Sequence, residues 1–297
     1  MVTLRCFPKR RRLNLCYNSP VSTPDYLTIG HLSRDLLPQG ERWGGSVAYA
    51  ALTARALGLR SAVVTAAAIK TSPPPLADVD LVCKPAAQTT TFALTETPAG
   101  RRLRLLAQAE PLTLADVPPG WRRARLVHLA PIAQELPLTM AEAFAGRFVG
   151  LTAQGWLRTW DQDGVISPAP WETLLSVLPW VTATVLSIED LGLDDLAIPY
   201  LAERSRVLVV TRGPEGADLY WFGEHRHIPA PPTPEHDAVG AGDIFAAAFF
   251  VRLYHTGDAL EAAHFATCLA ALSVTRAGLD SAPTPTEMTA TLPSPRF

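Results

Sequence analysis

From Tyr26 onward, apolar residues follow two alternating periods. Short apolar runs bounded by Gly, Pro or polar clusters predict strands; longer stretches with apolar residues three and four apart predict helices. Tyr26–Gly30 predicts a short buried strand. Gly44–Leu57 predicts a helix, with Val47, Ala50, Ala51, Ala54 and Leu57 on one face and Gly58 at its end. Ser61–Ala66 predicts the next strand. Two alternating runs between Val79 and Leu105 flank Thr97-Pro98-Ala99-Gly100 and predict a β-hairpin, with Thr89, Thr91, Ala93 and Thr95 on one face. After Pro119 the pattern becomes regular. Strands are predicted at 125–129, 148–152, 182–186 and 207–210, and helices at 138–147, 171–178 and 193–204. A hairpin of 218–222 and 225–228 follows, turning at Gly223. The last third reads as helical, over Gly242–Tyr254, Asp258–Thr275 and a short stretch after Pro285. Repeated strand–helix units predict an α/β fold, a mostly parallel sheet covered by helices on both faces. Residues 1–25 read as a loose N-terminal extension. Residues 26–297 read as a single domain with a small β-hairpin excursion at about 88–107.

Composition narrows the classes of function. The 297 residues are 48% hydrophobic, ample for a full core. Basic and acidic residues number 26 and 28, a balance that argues against a nucleic-acid binder. No apolar run approaches the ~18–20 residues of a membrane span, so no membrane partner is expected. Cys6, Cys16, Cys83 and Cys268 lie far apart and fit a reduced, cytoplasmic protein better than a disulfide or zinc framework. Arg5, Lys9, Arg10, Arg11 and Arg12 form a basic cluster with no apolar run behind it, unlike a secretory signal.

Ligands of open parallel sheets bind outside the carboxyl ends of the strands. Polar residues just past those predicted ends are Asp35, Gln154, Ser187, Glu189, Asp190, Thr211 and Arg212, with His31 and His128 in similar places. Lone histidines there are more often structural. The sharpest segment is Asp237-Ala238-Val239-Gly240-Ala241-Gly242-Asp243-Ile244-Phe245. A Pro-rich stretch enters it, two glycines leave the backbone N–H groups unobstructed, and a long apolar helix follows. Free N–H groups at a helix start form an anion site, reinforced by the helix dipole. Asp243 is either an ordinary first-turn acid or a carboxylate set beside a bound phosphoryl group, able to accept a proton from an attacking hydroxyl. The pair Gly44-Gly45 opens the helix 44–57, and Thr211-x-Gly213-x-x-Gly216 follows a buried strand; each is a plain turn or a backbone cradle for a polar ligand. P-loop, Rossmann and nucleophile-elbow motifs are absent from the sequence.

Together these segments resemble the ribokinase-like, PfkB-type carbohydrate kinases, including their inositol-kinase-like branch. The family's D-[TA]-x-G-A-G-D-x-F signature is matched by Asp237–Phe245. Gly30 and Asp35, the Gly44-Gly45 pair, Thr211/Gly213/Gly216 and Thr275-Arg276-Ala277-Gly278 with Pro283 resemble its other landmarks, from about Tyr26 to Met288. The resemblance implies a ribokinase-like fold and transfer of the γ-phosphoryl group of ATP to a hydroxyl of a small polyol, a sugar or cyclitol. It implies Asp243 as general base, the N–H groups of Ala241, Gly242 and Asp243 as the anion hole, and Gly240 as part of the same catalytic loop. Asp35, Gly44, Gly45, Tyr49 and Gln154 would hold the acceptor. Ser187, Thr211, Gly213, Gly216 and Gly278 would hold the nucleotide. Asp190 and Glu189 would serve Mg²⁺, and a homodimer is possible on the same grounds.

Several positions depart from the family pattern. Tyr49 stands where the family's G-G-x-x-x-N has Asn, and Ser187-Ile188-Glu189-Asp190 replaces N-x-x-E. The family's G-D-D-x-x-G is replaced by the stretch from Ala66 to Pro75. The short segment from Asp35 to Gly44 implies a reduced β-lid, resting on the 88–107 hairpin. The pieces 128–136 and 152–158 resemble inositol kinases, with Gln154 and Arg158 as counterparts; Arg158 could reach a phosphate or pair with Asp161. Two other readings stay open. One is a nucleoside or pyrimidine-alcohol kinase, with Tyr49 and Trp43 stacking on a base. The other is a non-catalytic sensor on the same fold.

Overall fold

The computed structural model describes residues 16–17, 22–38, 40–70, 72–97, 100–284 and 286–288. In chain order the strands are β1 (Cys16–Tyr17), β2 (Tyr26–Ile29), β3 (Ser33–Leu37), β4 (Gly40–Gly44), β5 (Ser61–Ala67), β6 (Asp80–Pro85), β7 (Thr90–Thr97) and β8 (Gly100–Ala107). They continue with β9 (Leu126–Leu129), β10 (Phe148–Thr152), β11 (Arg158–Trp160), β12 (Ile166–Pro168), β13 (Ala183–Ser187), β14 (Val207–Thr211), β15 (Ala217–Trp221) and β16 (Glu224–Ile228). The α-helices are α1 (Ser46–Ala56), α2 (Ala197–Arg204), α3 (Ala241–Thr256) and α4 (Ala259–Ser273).

The α/β expectation holds. A ten-stranded sheet has the order β1-β6-β5-β2-β9-β10-β13-β14-β15-β16. Strands β6 through β14 of that order run parallel, while β1, β15 and β16 are antiparallel at the edges. The parallel strands are buried on both faces. Leu27 and Ile29 of β2 join one core with Val127, Leu129, Val149 and Trp156, whereas Tyr26 joins another with Leu126, Val185 and helix α3. Helix α3 is apolar almost all round, as a helix sandwiched between sheet and neighbour must be. Its Phe250 packs over Gly150 of β10, where a Cβ would lie 2.5 Å from the ring. From β2 the chain winds one way, through β5 and β6; from β9 it winds the other, through β10, β13 and β14. The switch point therefore lies between the carboxyl ends of β2 and β9, where a ligand crevice is expected.

A second, four-stranded sheet of order β4-β3-β7-β8 caps this crevice. The β3–β4 hairpin, not predicted as strand, pairs in parallel through β3 with β7. The lid is thus two hairpins joined into one sheet. The stretch between Val79 and Leu105 also divides differently from the single hairpin predicted. Asp80–Pro85 is buried on both faces and joins the main sheet beside β5, leaving β7 and β8 as the hairpin. Its turn at 98–99 lies outside the described residues.

Helices predicted at 138–147 and 171–178 are instead short 3₁₀ turns at Leu138–Met140, Glu142–Phe144, Trp171–Ser176 and Leu178–Trp180. Pro137 and Pro170 stand just before these stretches; Ala145, at ψ 138°, and Gly146, at φ 81°, leave the helical region in the first, and Pro179 disfavours helix at Leu178 in the second. The helix predicted from Leu193 begins only at Ala197, because Gly192 and Leu193 have φ of 67° and 65°, outside the helical region. Of residues 1–25, Cys16–Tyr17 pair with β6 and 22–25 lead into β2; the basic cluster at 5–12 lies outside the described residues. No helix among the described residues is long and apolar enough to cross a membrane.

Candidate active site

Two helix starts and the lid meet at the switch point. Helix α3 begins at Gly240, whose φ of 87° is in the left-handed region and whose missing side chain admits the Tyr49 ring; a Cβ there would lie 2.3 Å from Tyr49 Cε1. This sharp turn sets the first N–H groups of α3. Three were expected free. The Ala241 N–H instead donates to the Ala238 carbonyl at 3.2 Å, because the left-handed Gly240 folds the chain back under it. Among the described residues, the Gly242 and Asp243 N–H groups have no acceptor. Gly242 is exposed, with open space where its Cβ would be. Two free N–H groups therefore remain at this helix start, rather than the three expected.

Asp243 sits half-buried in that first turn. Burial pushes its carboxyl up to about 6, against the pull of the nearby Ser46 hydroxyl and Arg158, while Asp190 and Asp35 add to the rise. Ser46 is the first residue of α1, so the two helix starts lie close together here.

Asp35, on β3 of the lid, is buried and accepts from the Ser33 hydroxyl at 2.9 Å. Burial raises its carboxyl, opposed by Ser33, Arg42 and Arg158. Gly44 faces it so closely that a Cβ would lie 2.3 Å from Asp35 Oδ2. Gly45 has φ 95° and abuts the His31 carbonyl. Both glycines of the N-terminal pair are thus explained by close packing of the lid on α1. Tyr49 is 1% exposed, and its hydroxyl has no hydrogen-bond partner although it lies in the field of Arg42, Asp35, Asp243 and Asp237.

Arg158, at the start of β11, is the cation of the site. Burial holds its guanidinium below the usual value, against the pull of Asp190, Asp243, Glu135 and Asp35. It does not pair with Asp161, which accepts from the backbone N–H groups of Asp163 and Val165 at 2.9 Å each. Its direct hydrogen bond is a long one, 3.3 Å, to the Ile132 carbonyl. Asp190 accepts from the Ser187 N–H at 3.0 Å, and burial raises its carboxyl against the pull of Arg158 and the nearby Gln154 amide. Gln154, Asp190, Arg158 and Asp243 thus form one electrostatic group. Glu189 is exposed.

The glycine-rich loop lies further along the same edge. Ser187 stands opposite Thr211 in the β13–β14 register, and the Ile188 N–H donates to the Thr211 carbonyl at 3.0 Å. Gly213 has φ 57° and open space around it, whereas a Cβ on Gly216 would strike the Ile228 carbonyl at 2.1 Å. Arg212 is held by Asp218 and Asp195, each at 2.6 Å. Gly278 donates its N–H to Asp237 at 3.3 Å and lies beside Arg42.

The histidines are structural. His31 is buried and bonded through Nδ1 to Thr90 at 2.7 Å and through Nε2 to the Glu110 carbonyl at 3.1 Å. His128 bonds Tyr26 and Thr152, and burial pushes it down to about 3. Sequence reasoning missed Glu135. This fully buried carboxylate accepts the N–H groups of His31, Ile132 and Ala133, and so clamps the loops leaving β2 and β9 at the switch point. It also missed Ser46 and Arg42. The only hint of Ser46 was its place directly after the glycine pair.

Comparison with known proteins agrees with this geometry. Residues 188–287 match the model of the pfkB family carbohydrate kinases. The chain is 28% identical over 185 residues to the inositol 3-kinase of Zea mays, covering 60% of this chain and 47% of that protein. It is 26% identical over 282 residues to the inositol 3-kinase of Oryza sativa subsp. japonica, covering 85% of this chain and 69% of that protein. The chain thus spans about half the length of the maize relative. A pyrophosphate-dependent kinase in the ribokinase family, complexed with a pyrophosphate analog and myo-inositol, superposes with a TM-score of 0.74. The two are 19% identical, and the match covers 89% of this chain and 99% of that one. The likeness is one of fold. The Asp237–Phe245 signature at the start of α3 lies inside the region that matches the pfkB family carbohydrate kinases, and inositol kinases are among the proteins this chain is similar to.

Proposed function

We propose that this chain transfers a phosphoryl group to a hydroxyl of a small polyol, with a cyclitol as the favoured acceptor class. The observation that carries the reading is Asp243. It is a first-turn carboxylate poised near 6, beside two unpartnered N–H groups and the Arg158 guanidinium, and opposite Asp35 of the lid. Phosphoryl transfer needs alignment and charge stabilisation more than covalent help. The Gly242 and Asp243 N–H groups, aided by the α3 dipole, hold the anionic end of the donor. Arg158 balances negative charge developing on the transferred group. Asp35, Gln154 and the Tyr49 hydroxyl orient the acceptor. Asp243 takes the proton of the attacking hydroxyl; a base with a value just below neutrality is ionised at pH 7 yet still basic enough to act.

The donor in this reading is ATP, its phosphates running from the α3 start toward Ser187, Thr211, Gly213 and Gly216. Among the described residues, no cluster of three or more His, Cys, Asp or Glu is arranged to hold a metal ion alone. That fits Mg²⁺, which takes one or two carboxylates and otherwise waters and substrate phosphates. Asp190, near Arg158 and Asp243, is the carboxylate placed for it; when bound, the ion would neutralise charge on the donor phosphates. The base-stacking alternative loses its support, since Tyr49 packs on Gly240 and the Arg34 guanidinium lies 3.8 Å over the Trp43 ring.

The test is turnover against inositols, pentoses, hexoses and nucleosides, with ATP and pyrophosphate as separate donors and Mg²⁺ present or chelated. Phosphorylation of an inositol, lost in Asp243→Asn, is the expected result. Ligand binding without turnover by any donor would favour the sensor reading. Turnover with pyrophosphate alone would correct the donor.

A further inference from the structure

The lid and the anion hole share one carboxylate. Asp35 and Arg42 are opposite residues in the β3–β4 register. Asp35 faces the acceptor side, and Arg42 reaches across to Asp237, 195 residues away in sequence, with Nη1 2.5 Å from Oδ2. The Gly278 N–H donates to the same oxygen at 3.3 Å, and the Val239 N–H donates to Oδ1 at 3.0 Å. The lid, the turn into α3 and the loop after α4 therefore converge on Asp237. Val239 directly precedes Gly240, so the carboxylate that receives Arg42 also fixes the turn that aims the α3 N–H groups.

The pair differs from the other lid ion pair, Arg34–Glu41, whose side chains are 32% and 57% exposed. Arg42 and Asp237 are 20% and 13% exposed, and the Arg42 Nε is buried without a partner. An ion pair that far from water gains little net stability over an apolar contact; its value lies in fixing one arrangement. Gly278, at φ 57°, lies beside the Arg42 stem; a Cβ there would touch Arg42 Cδ at 3.4 Å, an ordinary van der Waals distance.

We propose that Arg42 is a positioning residue that latches the lid to Asp237, so that closing the Asp35 wall and setting the Gly242 and Asp243 N–H groups are one event. This rests on the reading that the α3 start binds donor phosphates. Arg42 acts through Asp237 and touches no reacting atom.

The test measures pyrophosphate binding to the full chain by calorimetry, independent of turnover, for the wild type, Asp237→Asn, Arg42→Ala and Arg42→Lys. Asp237→Asn removes a negative charge beside an anion site. Simple electrostatics predicts tighter binding, whereas the latch predicts binding weaker by about 10-fold, because the N–H groups lose their aim. Arg42→Ala is expected to weaken binding to a similar degree. Millimolar guanidinium ion should restore it, where sodium at equal ionic strength does not, and Arg42→Lys should fall between. Pyrophosphate binding in Asp237→Asn as tight as in the wild type, or tighter, would overturn the latch. If that variant does not fold, failure of guanidinium to rescue Arg42→Ala overturns it instead. Absence of binding to the wild type would overturn the anion-site reading, and the latch with it, which separates the two failures.

Discussion

Helices α1 and α3 start alike and serve differently. Each opens on a glycine in the left-handed region, Gly45 at φ 95° and Gly240 at φ 87°, and neither has a side-chain cap. At α1 the glycines are filled in: Gly44 lies against Asp35, Gly45 against the His31 carbonyl, and Ser46 lies near Asp243. At α3 the space stays open. Gly242 has an ordinary φ and nothing near its missing Cβ, and two N–H groups have no acceptor among the described residues. The same local signal, glycine before an apolar helix, therefore marks a packing contact in one place and an uncovered helix start in the other. What separates them is whether the rest of the fold covers the helix start.

The sharpest break in the comparison is at Asp243, the acid that α3 has and α1 lacks in its first turn. Asp243→Asn is expected to cut turnover by roughly 10²–10⁴-fold with little change in acceptor affinity, the usual worth of a general base. A steady-state kcat and KM measurement checks this, and near-normal kcat removes Asp243 from the chemistry.

The glycines then test packing against binding directly. Gly44→Ala puts a methyl group into the Asp35 carboxylate, which cannot move without leaving Ser33. It should cost about 1–3 kcal/mol of stability, as overpacking does, and weaken the acceptor without touching donor binding. Chemical denaturation and calorimetry with each ligand would show it. Gly242→Ala is expected to do the reverse. With open space and an ordinary φ, alanine should stabilise α3 by about 0.5–1 kcal/mol. Its methyl group at the mouth of the free N–H groups should weaken pyrophosphate roughly tenfold. If both variants behave alike, the distinction between the two helix starts fails.

What the sequence carried follows the same line. The parallel sheet was legible because its strands are uninterrupted apolar runs, and α3 because a signature with two glycines precedes an apolar helix. The β3–β4 hairpin was not, since Ser33–Leu37 and Gly40–Gly44 mix charge and apolar residues without alternation; the strand character of β3 comes from pairing with β7, and that of β4 from pairing with β3. The short 3₁₀ turns were overread as helices because apolar spacing continues through positions, such as Ala145 and Gly146, whose backbone leaves the helical region. At the candidate site, Asp35, Gln154 and Asp190 were readable from their places near predicted strand ends, and Asp243 from its place at a glycine-led helix start. The residues that hold these in place were not. Glu135 works through three backbone N–H groups brought together by loops from two strands, and Arg42 meets Asp237 only because the lid folds over. Such contacts leave no local pattern in a chain.

The smallest effect concerns stability, and its sign opposes that of the largest. Asp243 has its carboxyl raised to about 6, so the folded state binds its proton more tightly than the unfolded chain, where the ordinary value of 3.8 applies. Ionised Asp243 therefore works against folding, fully above the folded value and not at all below the unfolded one; the cost disappears as pH falls from about 6 towards 4. Asparagine keeps the shape but carries no charge. At pH 7.5, Asp243→Asn should therefore be more stable than the wild type, on the order of 1 kcal/mol once the group's partial exposure is allowed for. The gain should vanish in melts run near pH 4. The pH profile of wild-type turnover should rise through the same region, because only the ionised carboxylate accepts the proton. The first-turn acid of α3 then makes the helix start less stable and the reaction faster. A variant equally stable at both pH values, or a profile flat between pH 5 and 7, would place the Asp243 charge in water, and α3 would begin as inertly as α1.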